Sequence, residues 1–302
     1  MPAEGTTGGA AGSGGADVKL YVDYMSQPSR CVVIFSRVNG LPVEVRPVLI
    51  HKGETRSPAY LALNPLGKVP LLEDTAAAAS SSSGLGPAGG DGSGGGSCSS
   101  SGGSGGGCVL RLPESAAIMC YLADRFPGSV SEHWYPRADK VHRARVEAAL
   151  HWYQGNIRAG AAKLSFHKVV AQRLGLPSDE RVAADALKTL QLALAALQDV
   201  WLGGGARPFM TGPQPCAADL LAACELEQLR MLRAEQHGGL DFPSIMAPYP
   251  QVRAWQQRVR EATEPHYTTA HRVLMAAVQR GGGGGDGGGG TGGGTGAAKS
   301  KL

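Results

Sequence analysis

The sequence predicts an α/β domain followed by an all-α domain. Apolar and polar residues alternate at 18–24, and an apolar helical run and a second strand follow, which together form a βαβ unit. From residue 136 onward the strand patterns stop and only helical spacing of apolar residues continues. Glycine marks the limits of the domains, because 32 of the 45 glycines lie in three segments, 1–16, 75–107 and 281–302.

These three segments are rich in Ser or Ala and contain no aromatic residue. They cannot bury enough apolar surface to offset the entropy of an ordered chain, so we predict that they are disordered. The remaining 231 residues hold every Trp, Tyr and Phe. They are predicted to form an α/β domain at 17–126, interrupted by the insert 75–107, and a helical domain at 136–280.

The first domain is predicted to contain four strands and three helices in the order βαβα and then ββα. Its first helix is opened by Ser26 as a cap with Pro28 just inside it, and it ends at Asn39-Gly40. Pro47 marks the second strand as an edge strand, since proline has no N–H for a sheet ladder. In chain order the predicted elements are 18–24, 26–40, 43–49, 58–63, 69–72, 109–112 and 115–125.

The second domain is predicted to be a helical bundle. Five segments place apolar residues at helical spacing and are separated by Gly and Pro clusters. The predicted helices are 137–164, 179–201, 217–236, 249–262 and 266–279.

Composition excludes several classes of protein. The longest unbroken apolar stretch, 116–123, is far below the roughly 18 residues of a membrane span. The net charge of +4 is mild and the chain has no Arg-Gly-Gly repeat, which argues against nucleic acid as a partner. The cysteines show no Cys-x-x-Cys pair and no zinc-like spacing, so we expect no metal and the reduced thiols of an intracellular protein.

The turn between the first strand and the first helix carries a hydroxyl at Ser26. Redox proteins with this βαβ arrangement have Cys-x-x-Cys here, and its replacement by Ser-Gln-Pro-Ser excludes dithiol exchange. A hydroxyl beside a helix N-terminus can instead donate a hydrogen bond to the thiolate of a ligand. Alternatively, Ser26 is only a helix cap.

Two further segments suit a peptide-like ligand with a thiol. A hairpin strand that begins with proline, as at Val69-Pro70, is typical of thioredoxin-like domains, in which a cis bond exposes the preceding backbone to an extended peptide. Glu114 and Ser115 open a helix and combine a carboxylate, a hydroxyl and free N–H groups, which suit a ligand with both an amino and a carboxylate group. Pro70 could equally be an ordinary trans proline, and Ser115 a plain cap.

These segments, with two from the second domain, resemble theta-class glutathione transferases, notably those of plants. The resemblance implies a thioredoxin-like first domain, an all-helical second domain and a homodimer. It extends over nearly all of residues 18–280. The matching segments are Tyr-Met-Ser-Gln-Pro-Ser-Arg at 24–30, Asn-Pro-Leu-Gly-Lys-Val-Pro at 64–70, Pro-Glu-Ser at 113–115, His-Trp-Tyr-Pro at 133–136 and the stretch around Asp219.

The resemblance also implies roles for individual residues, with glutathione as co-substrate. Ser26 corresponds to the residue that stabilises the thiolate. The implied glutathione contacts are Thr55 and Arg56 at the glycyl end, Lys68, Val69 and Pro70 along the cysteinyl backbone, and Glu114 and Ser115 at the γ-glutamyl group. Some relatives have His and Lys in place of Thr55 and Arg56, so contacts to the glycyl carboxylate are expected to differ.

The second substrate is expected to be a small hydrophobic electrophile or hydroperoxide. In related enzymes an arginine at the place of Arg158 faces the active site, although a solvated helix arginine is the alternative. The other candidates for the second-substrate pocket are Tyr153, Phe166, Tyr267 and His271. Gly155 and Gly160 are expected to loosen a helix of this pocket.

Two of the glycine-rich segments, the insert 75–107 and the tail 281–302, allow further expectations. In an antiparallel pair, Pro70 and Glu114 share one end of the sheet, so the insert 75–107 is expected to leave from the other end and not to cover the glutathione site. The chain closes with Ser300, Lys301 and Leu302, a peroxisomal address that an import receptor would bind. We expect the peroxisome, with the cytosol as an alternative; a meaningless basic tail is the other interpretation.

Taken together, the residues predict a glutathione transferase or glutathione-dependent peroxidase. The alternatives are a member of the same fold that binds ligands without turnover and one that only binds other proteins. Retention of Ser26, Val69-Pro70 and Glu114-Ser115 together argues against a purely protein-binding role.

Overall fold

A computed structural model describes residues 17–76 and 109–280. The predicted tails 1–16 and 281–302, with Ser300, Lys301 and Leu302, lie outside the described residues, as does nearly all of the insert 75–107. An α/β domain and a helical domain share one continuous apolar core, which confirms the predicted fold class. Within the described ranges, every helix is too short or too polar to traverse a bilayer.

The first domain is built on a four-stranded sheet in the order β2-β1-β3-β4. β1 and β2 are parallel, whereas β3 is antiparallel to both β1 and β4. Pro47 ends β2, which is an edge strand as predicted. The strands are β1 Val18–Val22, β2 Val43–Pro47, β3 Leu71–Asp74 and β4 Leu110–Pro113, so β3 begins two residues later than its pattern predicts.

Three helices complete this domain. Proline lies in the first turn of α1 and of α2, where its missing N–H costs nothing, and a serine caps each of these two helices. Their bounds are α1 Gln27–Val38, α2 Pro58–Leu63 and α3 Ser115–Arg125. The short 3₁₀ turns Ile50–Lys52 and Glu54–Arg56 connect β2 to α2.

The second domain contains eight α-helical segments in the part of the chain that the structure describes, and several join through π or 3₁₀ turns. The π turns are Gln154–Arg158, Phe166–Val170 and Leu197–Trp201, and the 3₁₀ turns are Gly203–Gly205 and Gln228–Met231. The α-helices are α4 Lys140–Tyr153, α5 Ala159–Ser165, α6 Ala171–Arg173, α7 Glu180–Ala196, α8 Ala217–Glu227, α9 Phe242–Met246, α10 Pro250–Thr263 and α11 His266–Arg280.

Two predicted helix boundaries in this domain are wrong. The helix predicted from 137 begins at Lys140, because the Asp139 carboxylate accepts the N–H groups of Val141 and His142 and so caps it there. The helix predicted for 217–236 ends at Met231, where Leu232 turns to an extended backbone. The short α9 was not predicted, since five residues are too few for a helical period to show.

Gly160 has a packing role that its low helix propensity did not indicate. A Cβ at this position would lie 2.6 Å from the backbone nitrogen of Leu190, so α5 and α7 touch backbone to backbone. Gly155, in contrast, faces open space. Glycine at 160 therefore permits a close backbone contact between α5 and α7.

This contrast gives a matched pair of stability predictions. Gly160→Ala is expected to lower the free energy of unfolding by about 1 to 3 kcal/mol, because the methyl group forces α5 away from α7. Gly155→Ala is expected to leave it unchanged or raise it by up to about 1 kcal/mol through helix propensity. Urea unfolding of both variants measures the difference, and equal effects would contradict the packing role of Gly160.

Candidate active site

A cleft of about 1120 Å³ lies between the two domains. The first domain contributes mainly polar residues to its wall, among them Asp23, Ser26, Thr55, Arg56 and Lys68. The second domain contributes apolar side chains, among them Phe166, Val170, Leu174 and Met231, beside charged ones such as Arg158, Lys163 and Arg173. We call these apolar side chains of the second domain the apolar wall; they share one opening with the polar wall of the first domain.

Ser26 lies where β1 leads into α1. Its backbone is extended and its Oγ accepts a hydrogen bond from the N–H of Ser29 at 3.4 Å, so it is the N-cap of α1. Its side chain nevertheless lines the cleft, with 7% of the residue exposed. A cap bond this long is weak, and the hydroxyl hydrogen is not used by it. The cap role and the ligand role are thus compatible in one residue.

Asp23 organises this turn and was missed by sequence reasoning. Its two carboxylate oxygens accept the N–H groups of Met25 at 2.7 Å and Ile50 at 2.8 Å. It ties the turn before Ser26 to the loop that follows β2, and it lines the cleft itself. The signal was available, because an aspartate two residues before a turn N–H commonly makes this local bond.

Thr55, Arg56, Lys68 and Val69 all line the cleft on the side of the first domain. The Val69–Pro70 peptide is cis, one of the two alternatives that the sequence left open. The Lys68 carbonyl accepts hydrogen bonds from the Tyr60 hydroxyl at 2.7 Å and from Nδ2 of Asn64 at 2.8 Å. The backbone before Pro70 is therefore held from behind by α2 and the residue that follows it.

Glu114 and Ser115 are not in the wall of the cleft, but they lie at the same end of the sheet as Pro70. The register pairs Leu71 with Pro113, which puts the start of α3 next to the start of β3. Ser115 is buried, whereas Glu114 is exposed and has a backbone φ of 71°. For a residue other than glycine this conformation costs of the order of 1–3 kcal/mol, and such residues cluster at functional sites.

Of the five candidates for the second-substrate pocket, Arg158 and Phe166 line the cleft. The predictions for Tyr153, Tyr267 and His271 are wrong, because all three are buried in the helical core. The Tyr153 hydroxyl donates to Glu225 at 2.8 Å, and that of Tyr267 donates to Glu227 at 3.3 Å. Aromatic residues at helical spacing are most often core residues, and these three follow that rule.

The apolar wall includes several residues that the sequence did not single out. Val170, Leu174 and Leu176 follow Phe166 along the chain, and Leu174 and Leu176 are about half exposed. Met231 and the amide of Gln228 reach the cleft from the end of α8. Their apolar character gave no signal of its own, since any helix of a bundle has such residues.

Arg30 connects the two domains directly beneath the cleft. It is fully buried and donates hydrogen bonds to the carbonyls of Tyr24 and Cys224 and to Oε1 of Gln228, all of them neutral acceptors. Burial lowers the pKa of its guanidinium. Arg30 therefore links the turn before α1, through the Tyr24 carbonyl, to Gln228, which lines the cleft on the side of the second domain.

In the described part of the chain, the cleft has no cluster of metal-ligating side chains. Among residues 17–76 and 109–280, no three His, Cys, Asp or Glu side chains lie close enough together to hold a metal ion. The four cysteines in these ranges, Cys31, Cys120, Cys216 and Cys224, are free thiols.

Comparison with known proteins identifies the family of this arrangement. The family "Glutathione S-transferase, N-terminal domain" matches residues 28–125. Glutathione S-transferase T1 of Arabidopsis thaliana is 34% identical over 85% of this chain and 89% of its own length. Glutathione S-transferase theta-1 of Homo sapiens is 32% identical over 86% of this chain and 90% of its own.

Solved structures agree with these relatives. Apo human glutathione-S-transferase T1-1 superposes with a TM-score of 0.66 at 31% identity, covering 87% of this chain and 91% of that one. Human glutathione transferase theta-2 in complex with glutathione and an unknown ligand superposes with a TM-score of 0.66 at 28% identity, covering 87% and 89%. Sequence motifs, fold and relatives agree, and the chain belongs to the theta-class glutathione S-transferase family.

Proposed function

We propose that this member of the glutathione S-transferases holds glutathione as a thiolate through Ser26 and transfers it to hydrophobic electrophiles or uses it to reduce organic hydroperoxides. The observation that supports this most directly is the placement of the Ser26 hydroxyl. It lies at the N-terminus of α1 and lines the cleft together with Thr55, Lys68 and Val69. Glutathione is the co-substrate in this family.

The protein would act on the thiol through two effects. A hydrogen bond donated to the thiolate is worth about 1.5 to 3 kcal/mol, and the N-terminus of a helix adds about 0.3 to 1 kcal/mol. Lowering a thiol pKa by two units requires about 2.7 kcal/mol. Ser26 and α1 are therefore sufficient to make the thiolate the main form of bound glutathione near neutral pH.

The thiolate then reacts with a substrate held against the apolar wall. With an electrophilic carbon it forms a thioether and expels the leaving group with its electron pair. With a hydroperoxide it attacks the outer oxygen, the O–O bond breaks, and an alcohol and glutathione sulfenic acid result. A second glutathione converts the sulfenic acid to the disulfide and water. Phe166, Val170 and Leu174 favour apolar substrates for either reaction.

Ultraviolet titration of glutathione bound to the wild-type enzyme tests this proposal. The thiol pKa is expected to lie about two units below that of free glutathione. Turnover is then measured with cumene hydroperoxide and with 4-nitrobenzyl chloride, one substrate for each reaction. A bound thiol with the pKa of free glutathione would refute the enzymatic role and favour a protein that binds ligands without turnover.

The insert is proposed to leave the glutathione site unaffected. Asp74 pairs with Leu110 at the end of the β3–β4 pair opposite to Leu71 and Pro113, so the chain enters and leaves the insert away from the cleft. Replacing residues 77–108 with a short turn is expected to change KM for glutathione less than about twofold, since loop closure costs little. A sharp improvement in glutathione binding would show that the insert covers the site.

The final tripeptide supports a peroxisomal location and an import receptor as partner. Peroxisomes generate hydroperoxides, which matches the proposed reduction. A fusion with a fluorescent protein at the N-terminus is expected to enter peroxisomes and to remain in the cytosol when Ser300, Lys301 and Leu302 are removed. Unchanged peroxisomal import without the tripeptide would contradict this assignment.

A homodimer, proposed from the family resemblance, is tested by light scattering on the full chain.

A further inference from the structure

Arg158 is anchored in the interior at one end and open to the cleft at the other. Its Nη1 donates a hydrogen bond to Oε2 of Glu225 at 2.7 Å, and the Tyr153 hydroxyl donates to the same oxygen at 2.8 Å. The Glu225 side chain is 0% exposed, whereas that of Arg158 is 34% exposed and lines the cleft. The ion pair thus connects a buried residue of the helical core, Glu225, to a residue in the wall of the cleft, Arg158.

The π turn at Gln154–Arg158 makes this geometry possible. Tyr153 and Arg158 are five residues apart, which in a regular α-helix would point their side chains about 140° away from each other. A π turn has one more residue in each hydrogen-bonded ring, so residues five apart come to one side. Both side chains consequently reach the same carboxylate oxygen on α8.

Each partner of the ion pair favours the charged form of the other. Burial is the largest single influence and lowers the pKa of the Arg158 guanidinium, but Glu225 and Tyr153 together outweigh it and raise that pKa. The second oxygen of Glu225, Oε1, has no hydrogen-bond partner within residues 17–76 and 109–280. The buried carboxylate therefore relies on the hydrogen bonds donated by Arg158 and Tyr153. Among the described residues, Glu225 is the one carboxylate that forms an ion pair with Arg158.

We propose that Glu225 is a positioning residue for the second substrate. Glu225 fixes Arg158 so that the remaining guanidinium N–H groups of Arg158 face the apolar wall of the cleft. There they donate hydrogen bonds to the atom that becomes negative, which is the leaving group of an electrophile or the alkoxide oxygen released from a hydroperoxide. The alkoxide takes its proton from water, and Arg158 stays charged throughout. This inference rests on the proposed function, because it concerns the same reaction.

A double-mutant cycle with Arg158→Met and Glu225→Gln tests the proposal on the full-length enzyme with cumene hydroperoxide and glutathione. Glu225→Gln is expected to lower kcat/KM for the hydroperoxide about tenfold and to leave KM for glutathione within about twofold. Arg158→Met is expected to lower it at least as much. The double variant is expected to equal Arg158→Met, because Glu225 acts only through that side chain. Tyr153→Phe, which keeps the ion pair, is the matched control and is expected to lose less than Glu225→Gln.

Thermal unfolding keeps the test decisive if Glu225→Gln alone folds poorly. Glu225→Gln is expected to lower Tm in the wild-type background and to raise it in the Arg158→Met background, where the buried carboxylate has lost its counterion. Losses in kcat/KM that add in the double variant, or an equal rise in KM for glutathione, would overturn the positioning role. Absence of turnover in the wild-type enzyme would instead refute the proposed function, so the two failures are distinguishable.

Discussion

Replacing Ser26 with alanine is expected to raise the pKa of enzyme-bound glutathione by one to two units. The variant loses one hydrogen bond to a charged group, worth about 1.5 to 3 kcal/mol, and each pKa unit corresponds to about 1.4 kcal/mol. Below the wild-type pKa the thiolate fraction, and with it kcat/KM, is expected to fall about 10- to 100-fold. The ultraviolet absorbance of the thiolate gives the pKa, and initial rates across pH give the loss in kcat/KM.

Two variants separate the thiolate role of Ser26 from its role as a helix cap. Ser57 caps α2 in the same way, because its Oγ accepts a hydrogen bond from the N–H of Tyr60 at 3.2 Å, but it is not in the wall of the cleft. Ser57→Ala is expected to cost about 1 kcal/mol of stability and to leave the thiol pKa unchanged. Ser26→Thr keeps a hydroxyl and is expected to restore most of the pKa shift. A thiol pKa in Ser26→Ala equal to that of wild type would leave Ser26 as a cap alone.

Replacing Asp219 with alanine is expected to lower the free energy of unfolding by about 3 to 5 kcal/mol. Its fully buried carboxylate accepts three hydrogen bonds, from the backbone N–H groups of Met210 and Cys216 at 2.9 Å and from Nε1 of Trp255 at 2.7 Å. Removing it leaves three buried donors without an acceptor, at about 1 kcal/mol or more each. Urea unfolding followed by tryptophan fluorescence measures the loss.

The control for this variant is Asp241, an aspartate that also accepts N–H groups at the start of a helix but lies nearer the protein surface. Asp241 caps α9 through the N–H of Ser244 at 2.8 Å and makes a reciprocal bond with the Ser244 hydroxyl, but it is only half-buried. Asp241→Ala is expected to cost about 1 kcal/mol, because water replaces the lost acceptor. Similar losses for the two variants would mean that burial of the Asp219 network contributes little.

Asp219 also explains how α8 begins without a good N-cap side chain. The N-cap residue of α8 is Cys216, whose thiol is a poor hydrogen-bond acceptor. Asp219 reaches back from inside the helix to the N–H of Cys216 and additionally binds the loop at Met210. The entry to α8 is therefore stabilised by the helix's own third residue and by Trp255, a contact between segments that no local pattern indicates.

The residues expected on the first-domain side of the cleft could be singled out from the sequence because they lie at element boundaries. Ser26 ends the turn after β1, Val69 precedes β3 and Glu114 precedes α3, and each boundary is marked by Pro, Ser or a change of period. Boundaries of adjacent strands meet at one edge of a sheet, so local signals suffice to bring these residues together. The alternation of apolar residues likewise predicted the fold class.

The second-domain wall of the cleft followed from no local signal, because helical periodicity shows which residues share a face but not which neighbour covers that face. Tyr153, Tyr267 and His271 have helical spacing, yet all three are buried. Tyr153 lies on α4, which packs on α8, and the other two lie on α11, which packs on α1 and on the 3₁₀ turn at 228–231. Arg158 reaches the cleft through a π turn and an ion pair with a residue 67 positions away. The order of elements and the first-domain edge of the cleft are thus encoded locally, whereas the choice between core and cleft for each helical side chain is made only when the helices pack.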